Sequence, residues 1–237
     1  MHTNARLTLV TLLFIATQAS AECVPSLTVG AACKVWPAKP TLTIRTATTF
    51  VADKTDPSGD SGDYDLALQL EDTNSQAPVA SYKQPALYNS DAVAFEGLTI
   101  DTARYVLNPS TRAFGLRAKY EHSSSYSPYS AEQLTLYIQE GHNLRPVLDG
   151  LITRSQQGEW DTEQCTGEGL QRRRTVEMAS TTTHGFADLV VRTEIVKLKS
   201  LRRGGECVDD NSAPRVDTIT LKYNGSTYPI PDEMHSF

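Results

Sequence analysis

Polar and apolar residues alternate with a period of two along most of this chain. Thr41-Leu42-Thr43-Ile44-Arg45-Thr46 does so, and so does Tyr64–Leu70, where Leu66, Leu68 and Leu70 share one face. Leu134-Thr135-Leu136-Tyr137-Ile138 and the stretch from Phe186 to Val196 continue the pattern. This is the signature of strands with one buried face. Turn formers separate the runs: Asp56-Pro57-Ser58-Gly59, Asn108-Pro109, Gly141-His142-Asn143 and Gly204-Gly205. No amphipathic segment of three helical turns competes. Tyr129 to Glu140 is read as a strand, because its aromatic and β-branched residues favour a pleated surface. Leu221-Lys222-Tyr223 and Ser226-Thr227-Tyr228 flank Asn224-Gly225, a hairpin signal, since both central positions of a type I′ turn need positive φ.

The pattern predicts an all-β fold: an antiparallel sandwich or barrel-like domain of about nine or ten short strands. An alternative comes from two similar segments. Gly62-Asp63-Tyr64-Asp65-Leu66 through Glu71 and Gly185-Phe186-Ala187-Asp188-Leu189 through Glu194 share a G-x-x-D-L-x-x-x-x-E frame. That frame is similar to the turn-plus-strand unit of integrin-type propeller repeats, so partial propeller-like blades are the second reading. Fold-defining repeats recur at a fixed period, which two copies do not establish.

The one long apolar run changes the picture. Arg6 precedes Leu7–Ala16, and Ala19-Ser20-Ala21 supplies a small-x-small cleavage site. The run is shorter than the ~20 residues a bilayer span needs. It predicts a signal peptide over 1–21, cleaved after Ala21, and a single exported β-rich domain over 22–237. Glu22 before Cys23 argues against a lipid anchor, and no later run predicts a transmembrane segment. A location outside the cytoplasm follows.

The whole chain carries 22 Lys and Arg against 28 Asp and Glu, a net charge of −6, and Arg6 belongs to the leader. An acidic exported chain is not expected to bind nucleic acid. The 4 cysteines are an even number in an oxidising compartment. Of the three pairings open to them, Cys23–Cys33 and Cys165–Cys207 are favoured. The first closes a tight loop, and the second staples the longest strand candidates. No Cys/His cluster has metal-ligand spacing, and no cofactor is expected.

Candidate chemistry is sparse. Neither H-E-x-x-H nor G-x-S-x-G occurs, and no catalytic residue is assigned. Tyr120-Glu121-His122-Ser123-Ser124-Ser125-Tyr126-Ser127-Pro128-Tyr129-Ser130 has the composition of a recognition loop. Tyr120, His122, Tyr126 and Tyr129 are therefore the candidate binding residues. The acid-rich loop Asp53–Asp65 lacks the carboxylate ladder of a calcium loop, and an irregular site of Asp56, Asp60 and Asp63 is the fallback metal site. Arg172-Arg173-Arg174 and Lys197, Lys199, Arg202 and Arg203 read as solubilising edge charge, with a docking surface for an acidic partner as the alternative. Trp36 and Trp160 each stand near a cysteine, which predicts an indole packed on a disulfide. Asp101 and Arg104 are expected to pair.

Three blocks carry a resemblance: Cys33-Lys34-Val35-Trp36-Pro37, the segment Ser90–Tyr105 (S-D-A-V-A-F-E-G-L-T-I-D-T-A-R-Y) and Gly158-Glu159-Trp160-Asp161. Taken together, the chain resembles a family of uncharacterised exported proteins of Gram-negative bacteria. The resemblance implies an envelope setting, in the company of lysozyme-inhibitor-like domains, and implies no site residue. The expected function is that of a soluble periplasmic binding or interaction protein engaging an envelope protein or glycan. An inhibitor or immunity-like partner of a cell-wall-degrading enzyme is its specific form. A periplasmic hydrolase with a site of scattered Asp, Glu and His, and a purely structural envelope protein, are the alternatives.

Overall fold

A computed structural model describes Cys23 and residues 28–235. The expected leader and its cleavage site lie outside the described residues. The described residues are all-β, with twelve strands and one short 3₁₀ turn at Asp232–Met234. Four strands form the first sheet in the order β1 (Ala32–Val35), β2 (Leu42–Ala52), β3 (Gly62–Asp72) and β4 (Pro78–Ser90). Four more, β5 (Ala94–Asp101), β6 (Phe114–His122), β7 (Tyr129–Glu140) and β8 (Asn143–Asp161), form a second meander. The two are joined by a single parallel bridge, Ser81 to Asn143, so the sheet is mixed and open.

The first sheet folds over the second. Trp36, Ile44, Leu66, Leu68 and Leu70 face Phe95, Leu98, Phe114, Leu116 and Tyr137 across the interior. Aromatic pairs bridge the layers: Trp36 meets Phe114 edge-on at 5.3 Å, and Tyr88 stacks on Phe95 at 4.7 Å. Such pairs add about 0.5–1.5 kcal/mol each beyond area burial. Trp36 is thus a core residue packed on Phe114, where the sequence suggested a disulfide.

A second core covers the opposite face of β7 and β8. Leu134, Leu136, Ile138, Val147, Leu148 and Leu151 pack there. They meet Leu189 and Val191 of β10 (Phe186–Arg203), Leu221 of β12 (Arg215–Leu221), and Tyr223, Tyr228 and Met234 of the C-terminal segment. β7 is therefore buried on both faces, with Tyr137 in one core and its neighbours in the other. Bulges around Leu134 and Leu136 adjust its register to β8.

Between the cores and solvent, Arg117 ties the second meander together. It donates to Asp101 at 2.7 Å and to Glu132 at 2.8 Å, and Tyr105 Oη donates to Asp101 at 2.7 Å. Asp101 thus pairs with Arg117 and not with Arg104. Burial works against the Asp101 carboxylate, but hydrogen bonds from Tyr105, the Ala103 N–H and Arg117 outweigh it and hold its pKa below the ordinary value.

Past the second core, β8 and β10 run on. β9 (Thr166–Thr183) pairs with both, and β11 (Glu206–Asp209) turns back along β10. This outer strip contributes no residue to either core between Arg154 and Arg174. A disulfide joins Cys165, at the β8–β9 turn, to Cys207 on β11; the other joins Cys23 to Cys33, as the spacing predicted. Asn224 and Gly225 do turn, with Asn224 N–H donating to Thr227 O at 2.9 Å. The second arm does not return along the first: Tyr228 N–H donates to Val147 at 2.7 Å, carrying the chain into the second core.

Candidate ligand-binding groove

The floor of the outer strip is made by the register of β8 on β9, which sets Gly158 opposite Gly169 and Trp160 opposite Gly167. Three positions without side chains leave a bare patch of backbone, and the Trp160 indole occupies it. A Cβ on Gly158 would come within 2.1 Å of the six-membered ring, and one on Gly167 or Gly169 within 2.5 Å of the indole. The ring is thus laid flat across the ribbon, partly exposed. Trp160 is not a core residue, as its place near a cysteine had suggested; the aromatic covers glycines.

The backbone of Trp160 also fixes the Tyr/Ser loop. Its N–H donates to Tyr126 O at 2.7 Å, so residues before β7 run alongside β8. Ser124 Oγ accepts from the N–H groups of Tyr126 and Ser127 at 3.2 and 2.9 Å, shaping the bend. Tyr126 Oη reaches Glu159 at 3.5 Å. Loop and ribbon enclose an open groove of about 820 Å³. Tyr126, Tyr129 and Trp160 supply its aromatic surface, and Glu159, Asp161 and Glu168 its acceptors. Each carboxylate has a partner: Glu159 the Tyr126 hydroxyl, Asp161 the Gln164 N–H at 2.9 Å, and Glu168 the Lys199 ammonium at 3.7 Å.

The four candidate binding residues do not share one surface. Tyr126 is 58% exposed and lines the groove together with Tyr129. Burial pushes the Tyr129 hydroxyl up to about 12, opposed by the nearby Arg172 charge. His122 lies on the far side of Tyr129, in a smaller cavity of about 220 Å³, with Nδ1 against Ala92 O at 2.6 Å. Tyr120 is drawn inside. It continues the inward face of Phe114, Leu116 and Ala118 and packs against Phe95 at 5.7 Å. Its side chain belongs to the first core, because strand alternation governs it and loop composition does not.

The fallback metal site is not formed. Asp56 accepts from the N–H groups of Ser58, Asp60 and Ser61 and from Ser58 Oγ, so its lone pairs serve the loop itself. These bonds, that from Ser61 first, hold its pKa far below the ordinary value. Asp63 instead accepts from Asn89 Nδ2 at 3.1 Å. Among the described residues no group of three Asp, Glu, His or Cys is placed to hold a metal ion.

Two features escaped the sequence reading. Trp160's platform depends on glycines on two strands, although Gly-x-Trp and Gly-x-Gly on either side of Cys165 were a visible signal. Arg174, read as solubilising edge charge, is buried. No protein-family model, no curated protein and no solved structure matches this chain.

Proposed function

We propose that this is an exported binding protein of the cell envelope and that the groove beside Trp160 takes a saccharide. The observation that carries the reading is the indole spread over Gly158, Gly167 and Gly169. A flat aromatic face matches the C–H face of a sugar ring, while sugar hydroxyls donate to carboxylates, which only accept. Glu159, Asp161 and Glu168 line the same groove and supply such acceptors. A groove of about 820 Å³ is within the usual range for ligand sites and suits a short oligosaccharide. Two disulfides, the leader in the sequence and the lack of any helix in the described residues long and apolar enough to cross a membrane support a periplasmic setting.

The three carboxylates also favour a second reading, a glycan hydrolase. A general acid needs a carboxyl whose pKa is raised by burial. Glu159 and Glu168 are exposed and Asp161 only partly covered, which supports binding over catalysis. The protruding Tyr126 leaves a protein partner, such as a wall-degrading enzyme held by inhibition, as the remaining form of the binding reading.

The test is a binding titration of the oxidised protein with cell-wall oligosaccharides. The wild type is expected to bind saturably without cleaving them. Trp160→Ala, which removes the indole and leaves every carboxylate of the groove in the sequence, should weaken binding about tenfold. Turnover of the fragments would establish the hydrolase. Equal binding by wild type and Trp160→Ala would rule the groove out as the binding site.

A further inference from the structure

Besides the groove and the cavity at His122, the molecule holds a cavity of about 270 Å³ lined by Tyr129, Ile152, Ser155, Gln157, Arg172, Arg174 and Glu233. Its chemistry differs from that of the groove. Arg174 is only 8% exposed, yet its guanidinium donates only to backbone carbonyls, those of Ile152 at 2.7 Å and Glu233 at 3.5 Å. Its Nε is buried without an acceptor. None of the ion pairs among the described residues includes Arg172 or Arg174. Buried cations are ordinarily paired, because an unmatched charge away from water is costly. Burial first, and the Arg172 charge next, hold the Arg174 pKa below the ordinary arginine value, with Glu233 opposing.

Tethering the C-terminal segment accounts for part of this. Arg174 does hold the carbonyl of Glu233. That task needs one donor, however, and it calls for neither the buried free Nε nor a second arginine two residues away on the same face of β9. Ser155 and Gln157 add neutral hydrogen-bonding groups to the same wall. A planar guanidinium with open donors is suited to a carboxylate or phosphate.

We infer that the cavity at Arg172 and Arg174 is an oxyanion pocket, taking the carboxylate or phosphate group of a ligand. Tyr129 and Gln157 line both this pocket and the Trp160 groove. If the groove takes a sugar, the pocket selects an acidic one; that extension rests on the proposed function, whereas the pocket itself does not.

The experiment is calorimetric titration of the oxidised protein with glucose, glucuronate and glucose 6-phosphate. The wild type should prefer an acidic sugar to glucose by about tenfold or more, the usual worth of a hydrogen bond to a charged group. Which acid wins tells a carboxylated from a phosphorylated ligand, and parity between them leaves the shared oxyanion chemistry in place. Arg172→Gln and Arg174→Met should abolish the preference. Arg173→Gln, which removes the same charge from the opposite face of β9, should keep it. Arg172 has no tethering role, so its variant keeps the test valid if Arg174→Met misfolds. Trp160→Ala should weaken every sugar and leave the ratio intact, so failure of the groove is distinguishable from failure of the pocket. Equal affinity for acid and neutral sugar in the wild type, or a preference that survives Arg172→Gln, would overturn the pocket.

Discussion

The body of the molecule and its outer strip are built from the same kind of strand but held by different forces. β7 is covered on both faces, by Tyr137 in one core and by Leu134, Leu136 and Ile138 in the other. The strip from Arg154 to Asp161, with its partners in β9, β10 and β11, has neither core beneath it. Its ladder of hydrogen bonds is supported by a disulfide at one end and an indole laid over glycines. Burial contributes ~25 cal/mol per Å² of apolar surface, which makes the body the stable unit. The strip gives up that contribution and keeps polar and aromatic faces open, as the proposed binding role requires. Recognition surfaces are commonly drawn from the less stable parts of a fold.

The largest effect should come from cutting into the body. Leu136 is fully buried in β7, and Leu136→Ala should lower the unfolding free energy by about 2–5 kcal/mol in a denaturant titration. A loss under about 1 kcal/mol would mean the second core is not packed as described. Opening the staple comes next. Cys165 and Cys207 are 42 residues apart in sequence, and replacing both by serine should cost about 2–4 kcal/mol. Hydrogen exchange should register that loss in β9 and β10 beyond Arg192 while β7 amides keep their protection. An equal loss of protection in β7 would erase the distinction between the two regions.

A smaller, pH-dependent effect belongs to Asp101. Its pKa is lowered in the folded protein, so its contribution is present in full above the ordinary value of 3.8 and is lost as pH falls through the lower folded value. Asp101→Asn should cost about 1.5–3 kcal/mol at neutral pH, the scale of hydrogen bonds to a charged group. The gap between variant and wild type should close in strong acid. A gap that stays constant with pH would show that Arg117 does not depend on that charge.

The body was the more legible region because its code is local. Leu66, Leu68 and Leu70 alternate in sequence and alternate in the core. The pairing favoured among the three open to the cysteines is the one formed. What escaped is set by register between distant segments. Asp101 found Arg117, 16 residues away in sequence, and not the nearby Arg104, because antiparallel pairing of β5 and β6 brings Thr99 opposite Arg117. Tyr120 looked like part of a Tyr/Ser loop but obeys the inward phase of β6. The run Arg172-Arg173-Arg174 reads as one basic patch, yet a strand sends its members to opposite faces, and only Arg174 is buried. Trp160 needed Gly167 and Gly169 from the next strand before its place on the ribbon was defined.

The central claim is that the Trp160 indole is a ligand-binding surface. Trp36 is fully buried, so a change in tryptophan emission on adding ligand reports chiefly on Trp160. Titrating the oxidised protein with cell-wall oligosaccharides should give a saturable change in emission in the wild type and in Trp36→Phe, and none in Trp160→Phe. A wild-type emission spectrum that stays flat while calorimetry records binding would place the ligand elsewhere and contradict the account.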